Sequence, residues 1–199
     1  MKRYARAYFD RWYRSPRWRV LTPAELARRV GLVVSLAEYV LERRVQSALD
    51  VGCGEGAWYG ALRALRPRIR YVGIDPSEYA VRRFGRQRNL HRGSFERLGE
   101  LRGEGPFDLV LCVDVLHYLR RDELERGMRH LAALVGGVAY IPVFTSRDDV
   151  EGDRRQLHRR TPHFYRRAFA RAGLTPCGVS CYLPPDMARG QPALERLPR

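Results

Sequence analysis

The sequence predicts an α/β domain built as a three-layer sandwich, with a mostly parallel central sheet covered by helices on both faces. Two observations carry this expectation. Short apolar runs alternate with helical patterns from residue 47 onward, and a glycine-rich turn joins the first run to the helix that follows it. A length of 199 residues fits one such domain, with little chain left for a second.

The elements follow in order. Tyr4, Tyr8, Phe9, Trp12 and Tyr13 recur near helical spacing among Arg3, Arg6, Arg11 and Arg14, which predicts an aromatic amphipathic segment ahead of the core. Thr22-Pro23-Ala24-Glu25 is a capping box: Thr22 caps, Pro23 suits the first helical position and Glu25 reaches back. Leu26, Val30, Val33, Val34, Ala37, Val40 and Leu41 then form one apolar stripe. This helix should end near Glu42-Arg43-Arg44, where cations suit the terminal carbonyls. Buried strands are expected at Ser47–Val51, Ile69–Ile74, Phe107–Val113 and Gly137–Val143, with a short one at Asn89–Arg92 and a last one through Cys177–Leu183. Helical patterns lie between them at Glu55–Leu65, Ser77–Phe84, Asp122–Leu134 and Thr161–Ala172. Residues 1–46 are thus an N-terminal helical segment, 47–183 the core, and 184–199, with four prolines, an irregular tail.

Composition narrows the class. At 45% hydrophobic and 11% aromatic, the chain can bury a core without disulfide staples. Cys53, Cys112, Cys177 and Cys181 fall in no metal spacing, and buried thiols are favoured over a bridge between the last two. The basic N-terminus lacks the apolar run of a signal peptide, and no stretch approaches the ~20 residues of a membrane span, so the sequence reads as soluble and cytoplasmic. The net charge of +15 invites a nucleic-acid reading. Of 37 basic residues, however, only Lys2 is a lysine and the arginines are scattered, which suggests a compositional habit more than a footprint.

The most informative constellation is a strand, then Asp50-Val51-Gly52-Cys53-Gly54-Glu55-Gly56, then a helix. Glycines are needed there because the chain turns sharply and a ligand must lie against bare backbone. The next strand ends at Asp75, about twenty residues beyond the turn, where a carboxylate can bind ribose hydroxyls. On these residues alone a dinucleotide reading stays open, because Gly52, Gly54 and Ala57 also fit that pattern. Against an NAD-linked oxidoreductase stand the acid Asp50 directly before the turn, the extension of the glycines to Gly56, and a chain short for a second mononucleotide half.

With these residues the sequence resembles the class I S-adenosylmethionine-dependent methyltransferases, a Rossmann-like family, and within them the small-molecule-type members. The resemblance covers roughly Ala48 to Leu183. It implies S-adenosylmethionine as cofactor, with Asp50, Gly52, Cys53 and Gly54 as its acid-and-glycine signature and Asp75, followed by Pro76, as the ribose acid. Ser94-Phe95 sits where family members flank the adenine, although many carry an acid in place of Ser94. Phe107 to Leu119, with Asp114 and Val115, matches the fourth-strand segment that closes one side of the methionine moiety. Two features depart from the family. No clear antiparallel strand follows Leu183, so the sheet is expected to lack its usual final antiparallel strand, and the Asn-Pro-Pro-Tyr type motif of amino-methylating nucleic-acid enzymes is absent.

The resemblance implies a small-molecule acceptor. The alternatives are a basic RNA-binding or RNA-methylating protein and, less favoured, the NAD-linked enzyme. No catalytic dyad stands out. His117, Tyr8 and Tyr13 are the candidates for catalysis, and the same three with Tyr118 for acceptor contact. Each has a plainer reading: His117 as a packed polar residue, the aromatic segment as ordinary core packing or as a lid, and the Asp148–Asp153 and Arg154–Arg160 runs as a mutually screened surface loop.

Overall fold

The computed structural model describes residues 4–101, 103–150 and 152–191. Before the sheet come α1 (Arg6–Phe9), which runs into a π turn at Asp10–Arg14, and α2 (Pro23–Leu41). Then follow β1 (Ser47–Val51), α3 (Ala57–Leu65), β2 (Arg70–Asp75), α4 (Glu78–Arg88), β3 (Leu90–Arg92) and β4 (Phe107–Leu111). The chain continues through α5 (Arg121–Ala133), β5 (Val135–Tyr140), α6 (Pro162–Arg171), β6 (Thr175–Gly178), β7 (Cys181–Leu183) and α7 (Pro185–Arg189). The capping box forms as expected: the Glu25 N–H donates to Thr22 Oγ1 at 3.2 Å, and the Thr22 N–H to Glu25 Oε2 at 2.7 Å.

Seven strands make one sheet in the order β3-β2-β1-β4-β5-β7-β6. β1 to β5 are mutually parallel, with Leu49 opposite both Val72 and Val110. β7 runs antiparallel to β5, pairing Tyr140 with Cys181, and β6 folds back on β7. The expected loss of a final antiparallel strand is therefore corrected. The run Cys177–Leu183, which reads as one strand, is a hairpin whose two-residue turn is Val179-Ser180. Both turn residues have positive φ, 44° and 60°, as does Gly178 before them at 97°, and valine rarely adopts that conformation. Cys181 is buried and Cys177 half-buried in one cluster, and no disulfide joins them.

Alternation along the strands builds two cores. Leu49, Val51, Val72, Ile74 and Val110 face one side, where α5 and α6 bring Leu124, Met128, Leu131, Tyr165 and Phe169. Ala48, Tyr71, Leu109, Leu111 and Val138 face the other, covered by Val30, Val33 and Val34 of α2 and Trp58 and Leu62 of α3. This is the three-layer sandwich. Arg43 does not serve the carbonyls at the end of α2. Glu42 closes that helix in the left-handed conformation, and Arg43 reaches both carboxylate oxygens of Asp108 at 2.6 and 3.0 Å. That Asp108 also accepts the N–H groups of Gln46 and Ser47 explains why its carboxyl is held below the ordinary range despite partial burial. The short helix α7 opens the segment expected to be irregular, and residues 192–199 of it lie outside the described residues.

Candidate active site

Strand order reverses between β1 and β4, and a crevice opens at the carboxyl ends of strands at such a switch point. The loops that meet there are the glycine turn after β1 and the Val113–Val115 loop after β4. Gly52, Gly54 and Gly56 have φ of 72°, 55° and 75°, so the turn is left-handed at three alternate residues. A Cβ on Gly52 would lie 2.3 Å from Val115 Cγ2, and one on Gly54 would lie 3.0 Å from Phe9 Cε1. The turn is pinned to β2 by the Gly52 and Cys53 N–H groups, which donate to the Ile74 carbonyl at 2.7 and 3.2 Å.

Asp75, at the end of β2, ties this together. Its Oδ2 accepts the Gly54 N–H at 2.7 Å and its Oδ1 the Ser77 N–H at 2.8 Å. A carboxylate offers about four acceptor positions, so two such bonds leave room for ribose hydroxyls. Asp50 lies behind the turn, accepting the Tyr71 hydroxyl at 2.6 Å, and burial pushes its carboxyl up to about 7. Asp114 occupies a left-handed conformation, φ 56°, and burial raises its carboxyl to about 6. Burial also raises Asp75, against the two N–H bonds it accepts.

The N-terminal segment lies over the turn. Arg14 contacts both oxygens of Glu55 at 2.6 and 2.7 Å, Ser77 Oγ donates to the Tyr4 carbonyl at 2.6 Å, and Phe9 stacks on Tyr79 at 5.8 Å. The buried member of the segment is Phe9, and the π turn at Asp10–Arg14 follows it directly. One cavity of about 1160 Å³ results, and it gathers every candidate: Asp50, Gly52, Cys53, Gly54, Asp75, Pro76, Ser94, Phe95, Asp114 and Val115, together with Tyr8, Tyr13, His117 and Tyr118. Tyr13 keeps 39% of its surface accessible, but it lines this cavity, and burial holds its hydroxyl well above the ordinary phenol range. Burial does the same to Tyr8. His117 is fully buried, packed on Tyr118 at 4.3 Å and Phe144 at 5.4 Å, with its Nδ1 accepting the Phe144 N–H at 3.4 Å.

Sequence reasoning missed the second wall of the cavity. The Asp148–Asp153 run is not simply a solvated loop: Asp148, Asp149 and Asp153 line the cavity, and Asp153 is 9% accessible. Nor do the arginines that follow merely screen it. Arg154 donates to the Val150 carbonyl, and Arg160 to those of Leu116 and Leu119, which fastens the loop to the segment after β4. Glycine at 152, with φ 95° beside Val20, was the one available signal of a structured turn.

Comparison with known proteins agrees with this geometry. Residues 49–137, from β1 into β5, match the family model described as a methyltransferase domain. No curated protein matches the chain. Among solved structures, the fold is similar to the sugar N-methyltransferase KedS8 from Streptoalloteichus sp ATCC 53650, with a TM-score of 0.63 and 19% identity over 80% of this chain and 87% of that one. It is also similar to magnesium protoporphyrin IX methyltransferase from Synechocystis PCC 6803 with bound S-adenosylhomocysteine, at 0.55 and 19%, covering 86% of each chain. An O-methyltransferase family protein from Burkholderia thailandensis gives 0.51 and 17%, over 80% of this chain but only 56% of its own length. The glycine turn, the strand-end Asp75 and the match to a methyltransferase domain all fall on the same β1–β5 unit.

Proposed function

We propose that the protein transfers the methyl group of S-adenosylmethionine to a small-molecule acceptor bound in the same cavity. The observation that carries this reading is the single cavity of about 1160 Å³ in which the glycine turn, Asp75 and an aromatic wall from the N-terminal segment all meet. That exceeds the roughly 300–1,000 Å³ of an ordinary small-ligand pocket, which leaves room for an acceptor beside the cofactor. The fit to the cofactor rests on bare backbone at Gly52 and Gly54 and on the acceptor positions of Asp75. Bound there, S-adenosylmethionine supplies an electrophilic methyl group on a sulfonium.

The chain's own work is alignment and exclusion of water. Asp75 holds the ribose, Asp114 lies toward the methionine end, and Phe95 with Ser94 flanks the adenine. Tyr8 and Tyr13, with hydroxyls raised by burial, stay protonated near neutral pH and serve as hydrogen-bond donors instead of bases. His117 and Tyr118 border the acceptor space. Residues 4–19 act as a lid fastened to the turn through Arg14 and Glu55.

Six aspartates (50, 75, 114, 148, 149 and 153) and three arginines (19, 29 and 147) line the cavity among the described residues. A phosphate backbone would meet repulsion there, which supports a small acceptor over RNA despite the net charge of +15. The free buried thiols of Cys53, Cys112 and Cys181 support a reducing, cytoplasmic setting, and no helix among the described residues is long and apolar enough to cross a membrane.

Melting-temperature shifts test the cofactor directly, since a ligand that binds only the native state stabilises it. S-adenosylhomocysteine should raise the melting temperature and NAD should not. Asp75→Ala should weaken the homocysteine product by about 1–3 kcal/mol. A shift with NAD alone would refute the reading.

A further inference from the structure

Helices α5 and α6 pack side by side, and a groove of about 570 Å³ lies between them, sharing no residue with the cofactor cavity. Helical spacing sets its walls. Arg121, Glu125 and Arg129 recur every four residues along α5, and Arg167 and Arg171 do so along α6, so each set shares one face. Met128, from the core, gives the groove apolar lining together with Ala168 and Ala172, which pack on that core. Four arginines thus meet one carboxylate. Arg121 Nε donates to Glu125 Oε1 at 2.9 Å. That bond is the main reason the Glu125 carboxyl lies below the ordinary range, and the fields of Arg171 and Arg129 add to it. Arginines of both helices therefore converge on a single acid. Arg129, Arg167 and Arg171 have no hydrogen bond or ion pair among the described residues. Arg126, off this face of α5, pairs instead with both Glu96 and Asp122, at 3.1 and 3.0 Å. We propose that the α5–α6 groove is an anion site that takes the oligophosphate group of a small ligand.

The chemistry follows from the charges and their number. A guanidinium presents a planar fork of donors that matches phosphate oxygens two at a time. With Glu125 set against four arginines, three positive charges remain, and a monocarboxylate would leave most of them uncompensated. An oligophosphate carries several negative charges within a few ångströms and can meet all of them. A cleft lined by one sign of charge over apolar walls also focuses its field on a ligand more than a flat surface does. The volume lies within the ~300–1,000 Å³ of a small-ligand pocket. Arg121 is held by Glu125 and lies 5.9 Å from the centroid of the Phe164 ring, so part of the site is set before a ligand arrives. The arrangement returns nothing to the fold itself: like charges four residues apart, as at Arg167 and Arg171, weaken the helix that carries them.

Calorimetry on the full chain at physiological salt tests the site. Inorganic tripolyphosphate should bind at least about tenfold tighter than citrate, and Arg167→Gln with Arg171→Gln should remove at least about tenfold of that affinity. Arg82→Gln with Arg86→Gln takes the same charge from exposed positions of α4 outside the groove, and should cost less than about threefold. Arg129→Gln carries the same test should the α6 double variant fail to fold. S-adenosylhomocysteine affinity should change less than about twofold in the α6 variant, so this site and the cofactor reading stand or fall separately. ATP that binds tighter than tripolyphosphate and is lost in the α6 variant would mark a nucleotide as the source, and equal affinity the free oligophosphate; either supports the site. No tripolyphosphate binding, equal binding of citrate, or equal losses in the two double variants would each overturn it. Single-stranded RNA that binds tighter than tripolyphosphate and is lost in the α6 variant would do so too, by giving the groove to nucleic acid.

Discussion

Replacing Gly52 by alanine probes the turn at its tightest point. The residue sits at φ 72°, where an L side chain costs about 1–2 kcal/mol, and its Cβ would lie 2.3 Å from Val115 Cγ2. Valine is stiff at χ1, so Val115 cannot swing away cheaply, and overpacking of this kind costs about 1–3 kcal/mol more. Gly52→Ala should therefore destabilise the fold by about 2–5 kcal/mol and weaken S-adenosylhomocysteine, because the loop after β4 must yield. The two contributions separate in a double-mutant cycle. Val115→Ala deletes the clashing methyl and leaves the φ penalty, so Gly52→Ala should cost about 1–3 kcal/mol less in that background. Urea unfolding followed by tryptophan fluorescence reads all four proteins, with Trp58 buried on the helix that follows the turn. A coupling below about 0.5 kcal/mol would show that the two loops are not in contact, and the derived site geometry would fall with it.

Other perturbations test the electrostatics and the lid. Asp50 has a carboxyl pushed up to about 7 by burial, so the stability it confers is complete below about pH 4 and is lost as pH rises through 7. Asp50→Asn keeps an acceptor for Tyr71 and cannot titrate, so its stability should gain on that of the wild type between pH 5 and pH 8 in urea titrations; a difference independent of pH refutes this. Arg14→Ala removes both contacts to Glu55 and should leave the fold intact while amides of Ala5–Tyr13 exchange faster and S-adenosylhomocysteine dissociates faster. Unchanged exchange in that variant would mean that the segment is ordinary core packing. RNA affinity should be weak and collapse between low and physiological salt, as counterion release requires, and tight sequence-selective binding at physiological salt would contradict it.

Much of this site could be read from residue types alone because the decisive features are local. The turn Gly52–Gly56 needs three left-handed residues between a strand and a helix, and glycine is the residue that supplies them, so the motif announces its own conformation. Thr22 to Glu25 likewise encodes its cap within four residues. What stayed hidden depends on distant partners or on residues that defy their propensities. Val179 and Ser180 turn with positive φ where neither type predicts it, and so the last hairpin read as one strand. The charge run after Asp148 has the composition of a solvated loop, and the Tyr118 hydroxyl that meets the Asp153 carbonyl comes from a segment 35 residues away. Arg43 looked like a helix terminator because Asp108, its partner 65 residues away, belongs to another strand. Asp114 reads as an ordinary strand-end acid, and nothing in Val113-Asp114-Val115 signals its left-handed backbone.

The costly features of the fold gather in the cavity. Asp50, Asp75 and Asp114 are all raised by burial, Asp114 carries a left-handed backbone as well, and the glycine turn orders three flexible residues. Each of these opposes folding: a buried carboxyl resists ionisation, and an ordered glycine loses more chain entropy than any other residue. No neighbouring cation among the described residues offsets Asp50 or Asp75, whose bonds come from Tyr71, Gly54 and Ser77. A positively charged ligand in the cavity reverses the balance. It favours the ionised form of every carboxyl it approaches, so part of the desolvation cost held by the empty fold returns as binding free energy. The same carboxyls that weaken the unliganded domain near neutral pH thereby select for a cation within a strongly basic chain.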